Sequence, residues 1–371
     1  MGFKLAIKQI EAFPVRMPMR NFVDAYSDYS TNQFVLIRIE NDDGKIGYGE
    51  APCTVTVGFY GETLESTTIA IRNYIAPVLK GVDPLNIRKA ISIINRAHGA
   101  AFLAKTGIDI ALHDLAGKIL GVSTSTLLGG TQREIIPVAS EIGIVDPEQA
   151  VRESERLVEL GFRVIKIKAG NNSETDVKIA KAVRDHVGDE IELRVDPNAG
   201  WSRYETLKAI KELSKLDLAY LEQPLPGWDL EGLAYVRRTT GMPIMVDESV
   251  WTPHDVIKVV EAGAADLINI KITKAGGLKN SIDIYTTAEA AGIPCIVGTE
   301  LEACVAAPAK LQLAASIERL PFAAEFTELA YQNMVLQKSL KIEKGCLRLP
   351  EGSGTGVDPD MRLIEQHKVA F

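Results

Sequence analysis

The chain predicts an α/β fold: a modified (β/α) TIM barrel with an N-terminal α+β capping domain. Three observations predict it. From about residue 134, short apolar runs alternate with amphipathic helical ones, and such alternation implies parallel strands. Five of the runs, VIKIK, LRVD, AYLE, IMVD and LINIK, end in charged residues: Lys166 and Lys168, Asp196, Glu222, Asp247 and Lys271. From Lys168 the steps are 28, 26, 25 and 24 residues, about the length of one strand, one helix and two short loops. Finally, no GxGxxG follows the first strand, as an open doubly wound sheet binding a dinucleotide would want.

Residues 1–128 have their own grammar. Segments 3–13 and 33–40 read as strands, NDDG at 41–44 as a hairpin turn, and KIGYGEA as a third strand. Segments 63–80, 85–98 and 101–119 show the three-and-four apolar spacing of helices. A sheet followed by helices is an α+β cap. The barrel is expected over 129–345. IIPVASEI is its first strand, and PEQAVRESERLVELG a helix closed by Gly161. Six further βα repeats lead through LINIK, PCIVG and FAAEF. Residues 346–371, with CLRLP, EGSG and GTG, read as an irregular tail returning to the cap.

Composition bounds the function. A length of 371 residues favours two domains. Hydrophobic content of 46% with 24% charged residues is that of an ordinary soluble globular protein. The net charge of −8 argues against a nucleic-acid partner. No apolar run reaches 18 residues, and the first residues are too mixed for a signal peptide, so a cytoplasmic protein without membrane partners is expected. Cys53, Cys295, Cys304 and Cys346 form no CxxC pair and read as free thiols of a reducing compartment.

Functional groups of a parallel barrel sit at the C-terminal ends of its strands. Lys166 and Lys168 are two apart and share a strand face. Asp196, Glu222 and Asp247 end three consecutive strands. Three hard oxygen ligands at neighbouring strand ends suit Mg²⁺, whereas zinc would recruit His or Cys. The five histidines all fall in helix or loop readings. Lys271 ends the sixth strand, opposite the second in a barrel of eight. Lys168 and Lys271 would then face each other across one pocket, one taking and one returning a proton. Neighbouring cations and desolvation favour the neutral amine that such a base needs. Lys166 supplies one of those cations.

These residues resemble the enolase superfamily, in its muconate-lactonising subgroup. The resemblance rests on VIKIKAG, VDPNAGW, LEQP, VDES and NIKITKAGG, and in the cap on GKIGYGEA and DIALHDLAGKILG with LLGG after it. Lysine bases working with Mg²⁺ are the general pattern for enolase-type sites. The resemblance implies metal ligands at Asp196, Glu222 and Asp247, acid/base lysines at Lys168 and Lys271 with Lys166 beside them, and supporting roles for Asn198 and Glu248. It implies Mg²⁺, with Mn²⁺ as an alternative ion, a small carboxylate substrate, and a homo-oligomer. A mandelate-racemase-type His–Asp dyad is not present: strand six carries lysine and strand seven reads PCIVGTELE.

The expected reaction is abstraction of a proton α to a carboxylate through an enediolate, leading to racemisation or epimerisation of an N-acyl amino acid or related acid. Muconate-type cycloisomerisation and succinylbenzoate-synthase-like elimination use the same residues. A dipeptide epimerase would carry Asp-x-Asp after strand eight, where this chain has Glu325 and Thr327, with Glu328 next. A catalytically silent metal-binding barrel is the non-enzymatic alternative. Specificity is expected from the cap stretches 21–30 and 54–62, with Tyr26, Asp28, Tyr29, Phe59 and Tyr60 as substrate contacts alongside Glu325 and Thr327.

Overall fold

The computed structural model describes residues 5–54 and 57–371. The start of the first expected strand, residues 3 and 4, lies outside the described residues, as do residues 55 and 56 of the expected cap stretch 54–62. Three antiparallel strands, β1 (Ile7–Val23), β2 (Asp28–Asn41) and β3 (Ile46–Pro52), form the cap sheet in that order. The NDDG turn joins β2 to β3 with Gly44 at φ +76°, the left-handed geometry that a glycine tolerates without a Cβ penalty. Helical segments follow over Leu64–Leu79, Ile87–Ala97 and Phe102–Leu120.

The barrel begins at β4 (Ile135–Ile142). It continues through β5 (Val164–Lys168), β6 (Glu192–Asp196), β7 (Leu218–Glu222), β8 (Ile244–Val246), β9 (Leu267–Ile270), β10 (Cys295–Val297) and β11 (Ala324–Glu325). Each pairs in parallel with its predecessor from β5 to β10. β11 pairs in parallel with β4, which carries the order round towards a closed ring. The modified TIM barrel expected from the sequence is the fold observed. Its repeat is written in local chemistry. Asp146, Asn172, Ser202 and Asp229 each accept a backbone N–H in the first turn of the helix that follows. Gly241 and Gly263 close two of the helices in the left-handed conformation.

The strands sort side chains by parity. On β5, Ile165 and Ile167 join the apolar layer between strands and helices, while Lys166 and Lys168 point into the barrel. Lower in the interior, Tyr220, Met245, Leu267 and Ile296 pack together, and the Arg194 guanidinium lies 5.0 Å from the Tyr220 ring centre. The polar groups thus gather at the C-terminal mouth.

The cap is bolted over that mouth. Buried Glu50 of β3 accepts N–H bonds from Ala303 (2.7 Å), Cys304 (2.9 Å) and Ala306 (2.8 Å), at the start of the helix Ala306–Ser316. A carboxylate there also favours the positive end of the helix. The chain's last residues run back to both parts: β13 (Cys346–Arg348), whose hairpin partner is β12 (Ile342–Glu343), pairs with β4, and Val369 N donates to Pro14 O in the cap. Among the described residues, no helix is long and apolar enough to cross a membrane.

β3 lies so close on the helix Phe102–Leu120 that side chains are excluded. A Cβ on Gly49 would stand 1.9 Å from Gly107 O. Gly49→Ala is therefore expected to cost about 1–3 kcal/mol or more of stability in urea denaturation, as overpacking of a close-packed core does. Gly99→Ala, where a Cβ meets nothing within 4 Å, should stay within about 0.5 kcal/mol of wild type.

Candidate active site

Buried charge defines the barrel mouth. Lys166 is fully buried and its Nζ has four carboxylates around it: Glu141 at 2.6 Å, Glu325 at 2.9 Å, Glu222 at 3.1 Å and Asp196 at 3.3 Å. Lys168 Nζ donates to Asp196 Oδ2 at 2.8 Å and lies 3.4 Å from Glu141. From the opposite wall, Lys271 Nζ lies 2.8 Å from Asp247 Oδ2 and 3.1 Å from Glu300 Oε1. Lys274 Nζ pairs with Asp247 Oδ1 at 2.9 Å and also donates to the Asp247 carbonyl. Backbone and amide bonds fix the acidic strand ends. Gln223 Oε1 accepts from Asp247 N, Asn269 Nδ2 donates to Glu222 Oε1, and Asn198 N donates to Asp196 Oδ1. Asn198 holds φ +44° to do so, a conformation that asparagine adopts more readily than most residues.

Burial opposes every one of these charges and neighbours decide the outcome. For Lys168, burial disfavours the ammonium, but Asp196 and Glu141 outweigh it and raise the pKa. For Lys271, Asp247 and Glu300 do the same. Burial would lift Glu141, yet Lys166 and Lys168 hold it down at about 2. Glu222 goes the other way: burial and then the like charge of Asp196 push it well above the usual carboxylate range. Burial, Asp247 and Asp196 push Glu248 up to about 8.

Lys168 and Lys271 line one cavity, together with Asp24, Glu141, Asn198 and Glu300, under a cap-side roof of Phe22, Tyr26, Tyr29 and Phe59. Its volume of about 30 Å³ is too small for an amino-acid derivative, so the lining has to rearrange to admit one. A cavity of about 710 Å³ lies behind Phe22. It is lined by arginines and apolar groups and holds no lysine–carboxylate pair.

The other expected site residues divide clearly. Tyr26 reaches the acidic cluster through its hydroxyl, which donates to Glu248 Oε1 at 3.2 Å. Glu248 also accepts from Asn198 Nδ2 at 3.2 Å. Phe59 stacks on Trp251 at 5.5 Å between ring centres, and Tyr60 packs edge-on to both. The buried Tyr60 hydroxyl is raised first by burial and then by Glu300, though no bond between them has hydrogen-bond geometry. Asp28 is exposed and points away from the cavity, into an outer groove with Thr54 and Glu62.

Glu325 and Thr327 are fully buried and do not line the cavity. Glu325 sits beneath it as a counter-ion of Lys166. The spacing that suggested them as substrate contacts places them one layer too deep. Glu328 is equally buried, on Lys310. Sequence reading passed over Glu141, Asp24 and Glu300. Glu141 carried the same signal as the others, since it stands 25 residues before Lys166 at the end of an apolar run. Glu300 follows the strand end of β10. Asp24 carried no such signal: it is a cap turn residue whose Oδ1 accepts from Tyr26 N, Ser27 N and the Tyr29 hydroxyl.

The sequence expectation makes Asp196, Glu222 and Asp247 ligands of a divalent cation. Among the described residues, no three His, Cys, Asp or Glu groups converge as a ligand set in the side-chain positions seen. Lysine ammoniums stand at the carboxylate edges instead. The chemistry of the donor set nonetheless fits such an ion. Neither contact of the Asp247 carboxylate with its lysines has hydrogen-bond geometry, and the Asn198 Oδ1, which is also buried, has no partner. The carboxyls of Glu141, Asp196, Glu222, Asp247, Glu248, Glu300 and Glu325 outnumber Lys166, Lys168, Lys271 and Lys274, so the fully ionised cluster has negative charge to spare.

The fold and this site meet those of known proteins. Residues 7–129 match the mandelate racemase / muconate lactonizing enzyme N-terminal domain, and residues 149–363 match the enolase C-terminal domain-like family. The chain is 34% identical over 365 residues to an N-succinyl-L-Arg/Lys racemase of Bacillus cereus, covering 98% of each protein. The crystal structure of that racemase superposes with a TM-score of 0.94, again covering 98% of each chain. Muconate cycloisomerase 1 of Rhodococcus opacus is 33% identical over 97% of this chain and 98% of its own length. A dipeptide epimerase of Enterococcus faecalis, solved with Mg and L-Leu-L-Tyr, is 31% identical with a TM-score of 0.89, covering 95% of this chain and 99% of that one. The chain belongs to the mandelate racemase / muconate lactonizing enzyme family and is an enolase-superfamily isomerase.

The loop bearing Glu300 rests on a second buried network. Lys310 Nζ binds Thr299 Oγ1 (3.0 Å), Glu302 Oε2 (2.7 Å) and Glu328 Oε1 (2.9 Å). Two carboxyls share one ammonium there. Burial, opposed by Lys310, puts Glu328 at about 7 against an ordinary 4.5. A carboxyl raised on folding stabilises below its unfolded pKa and loses that contribution as pH rises through the folded one. Glu328→Gln mimics the protonated acid. In urea melts the variant should lose less stability than wild type as the pH is raised from 4.5 to 8, because it lacks the carboxyl whose pKa folding raises.

Proposed function

We propose that this enzyme moves a proton to and from the carbon α to a carboxylate, racemising or epimerising an N-acyl amino acid or related small acid. The observation that carries the reading is the pair of buried lysines, Lys168 and Lys271, which line one cavity from opposite sides of the barrel. One amine takes the α-proton. The neutral form expected from the sequence is not favoured while Asp196 and Glu141 face Lys168 and Asp247 and Glu300 face Lys271, so it requires those carboxylates to be engaged by a cation instead. The C–H electron pair passes into the substrate carboxylate. The opposite ammonium returns a proton to the other face, which inverts the centre. Exchange of roles runs the reverse direction, so two bases of one kind suit a reaction whose substrate and product are mirror images.

Asp196, Glu222 and Asp247 are the residues that would hold Mg²⁺, as the Mg-bound epimerase relative supports. Bound there, the ion would neutralise charge developing on the substrate carboxylate and offset the crowding of the three acids. Lys166 holds the acidic strand ends in place. Asn198 braces Asp196 through its backbone N–H and donates its side-chain amide to Glu248, which also accepts from the Tyr26 hydroxyl, so a cap residue is linked to the ligands. Phe59, Tyr26 and Tyr29 exclude water from the lysines. The name of the Bacillus cereus relative supports an N-acylated substrate. A free dipeptide is less well served, because Glu325, at the place of an ammonium-binding aspartate, is already paired with Lys166.

A screen of N-acyl amino acids and other carboxylates in D₂O, read by mass for α-deuteration, tests the reading directly. Failure of every α-proton acid to exchange in the presence of Mg²⁺ would refute it. Lys168→Ala and Lys271→Ala should each lower racemisation by at least about 10²–10⁴-fold. Each variant should still exchange the α-proton of one enantiomer, the opposite one in the two cases. An unchanged racemisation rate in Lys271→Ala would replace two-base transfer by a one-base cycloisomerase or elimination.

Asp196→Asn, Glu222→Gln and Asp247→Asn should each weaken Mg²⁺ binding in calorimetric titration and abolish turnover while circular dichroism stays that of wild type. Turnover that survives exhaustive chelation would remove the metal from the reading.

A further inference from the structure

Glu300 is not used by the proton transfer just described, yet it is built into the cavity. It is 5% exposed, it lines the cavity, and its Oε1 makes no hydrogen bond of good geometry. Its close polar neighbours are the Lys271 ammonium, at 3.1 Å, and the buried Tyr60 hydroxyl, neither of which meets it with hydrogen-bond geometry. A buried acceptor left in this state costs free energy unless a ligand completes it. It is flanked by Thr299 and Leu301 and shares the cavity lining with Asp24 and Tyr29. Thr299 is no substitute donor, since its hydroxyl is bound into the Lys310 network with Glu302 and Glu328.

The position of Glu300 limits what it can complete. A lysine that exchanges a proton with carbon approaches it to about 3–3.5 Å. Glu300 lies one contact beyond that lysine. It therefore lies within roughly 6–7 Å of the reacting carbon, near enough to meet a polar substituent carried on that carbon. A carboxylate accepts and does not donate. The substituent it receives has to present an N–H or O–H, and a second carboxylate placed there would meet a like charge.

We infer that Glu300 is the specificity-determining residue for the substituent on the α-carbon, accepting a hydrogen bond from the amide N–H of an N-acyl amino acid and turning away diacids that place a carboxylate at that point. The inference rests on the proposed proton transfer and adds the group that reads the nitrogen. It separates an N-acyl amino acid racemase from a muconate-type cycloisomerase by one side chain, where the lysines and acids alone do not.

The test compares two isosteres on the Mg²⁺-loaded enzyme. One is whichever N-succinyl amino acid exchanges fastest in the D₂O screen. The other is the 2-succinyloxy acid of the same side chain, in which ester oxygen replaces N–H. Wild type should favour the amide in kcat/KM by at least a hundredfold, as sites built around a hydrogen bond reject analogues lacking it. Glu300→Leu should shrink the amide-to-ester ratio at least tenfold. Glu300→Gln, which keeps an acceptor oxygen, should retain part of it. The ratio is insensitive to misfolding and to a displaced Lys271, because both substrates need the same lysines. Equal loss on amide and ester in Glu300→Leu, with the wild-type ratio intact, would overturn the inference and make Glu300 a positioning residue for Lys271, while the racemase reading stands. A wild-type enzyme that exchanges no N-succinyl amino acid but does exchange or cyclise a diacid would overturn both.

Discussion

The structure of the barrel mouth depends on one buried ammonium. Lys166 is fully enclosed and has carboxylates from four different strands within 3.3 Å. An ion of this kind is tolerated only if it is paired, and removing one partner of such a pair is far worse than never having had it. Glu141, Asp196, Glu222 and Glu325 are thereby tied to a common point from β4, β6, β7 and β11. With those four ends fixed, Lys168 has Asp196 and Glu141 at defined distances, and the remaining carboxylates have defined space. The site is a network, and its members are not separable into independent pairs.

This arrangement is not the one that stability alone would select. Interior positions of a parallel barrel are ordinarily filled by layers of branched apolar side chains, and apolar replacements of buried ion pairs are often neutral or stabilising. The lower layer here follows the usual pattern, with Tyr220, Met245, Leu267 and Ile296. Apart from the Arg194 guanidinium stacked on Tyr220, the charged side chains of this barrel interior gather at its C-terminal mouth. The polarity gradient along the barrel axis matches the place where substrate enters and the cap closes, which is where water-free charge has chemical use.

Much of this was legible in the sequence, and the reason is the parity of strands. Barrel strands are short and nearly uniform, so a charged residue at the end of an apolar run marks both a register and a place at the mouth. That is why Lys168, Asp196, Glu222, Asp247 and Lys271 are found together around one mouth. The same rule points to Glu141 and, less directly, to Glu300, but neither stands in the even series of strand ends that runs from Lys168 to Lys271. The rule cannot report depth. Glu325 ends a strand like the others, yet β11 is two residues long and its carboxylate settles below the cavity, against Lys166. Nor can it report the cap. Tyr26 and Phe59 were nameable as aromatic residues of cap loops. That Tyr26 meets Glu248, that Phe59 meets Trp251, and that Asp28 faces away depend on how two separately written parts dock.

That docking is itself electrostatic at its centre. Glu50 belongs to the cap sheet, but its three N–H donors belong to the barrel, between Ala303 and Ala306. These residues directly follow the segment that carries Thr299, Glu300 and Glu302. Burial lifts Glu50 to about 7, while the backbone donors pull it back, so the carboxylate keeps its charge-assisted bonds only because the loop is held in place to make them. The loop that presents Glu300 to the cavity is therefore gripped from two sides, by Glu50 above and by Lys310 from within the barrel. Phe59, at the opposite edge of the same cap, lies 5.9 Å from Lys271 Nζ. The cap and the groups after β9 and β10 are thus held against each other by contacts from both parts. Glu50 thereby keeps the cap in register with the loop that carries Glu300, the residue that stands between substrate choice and the base Lys271.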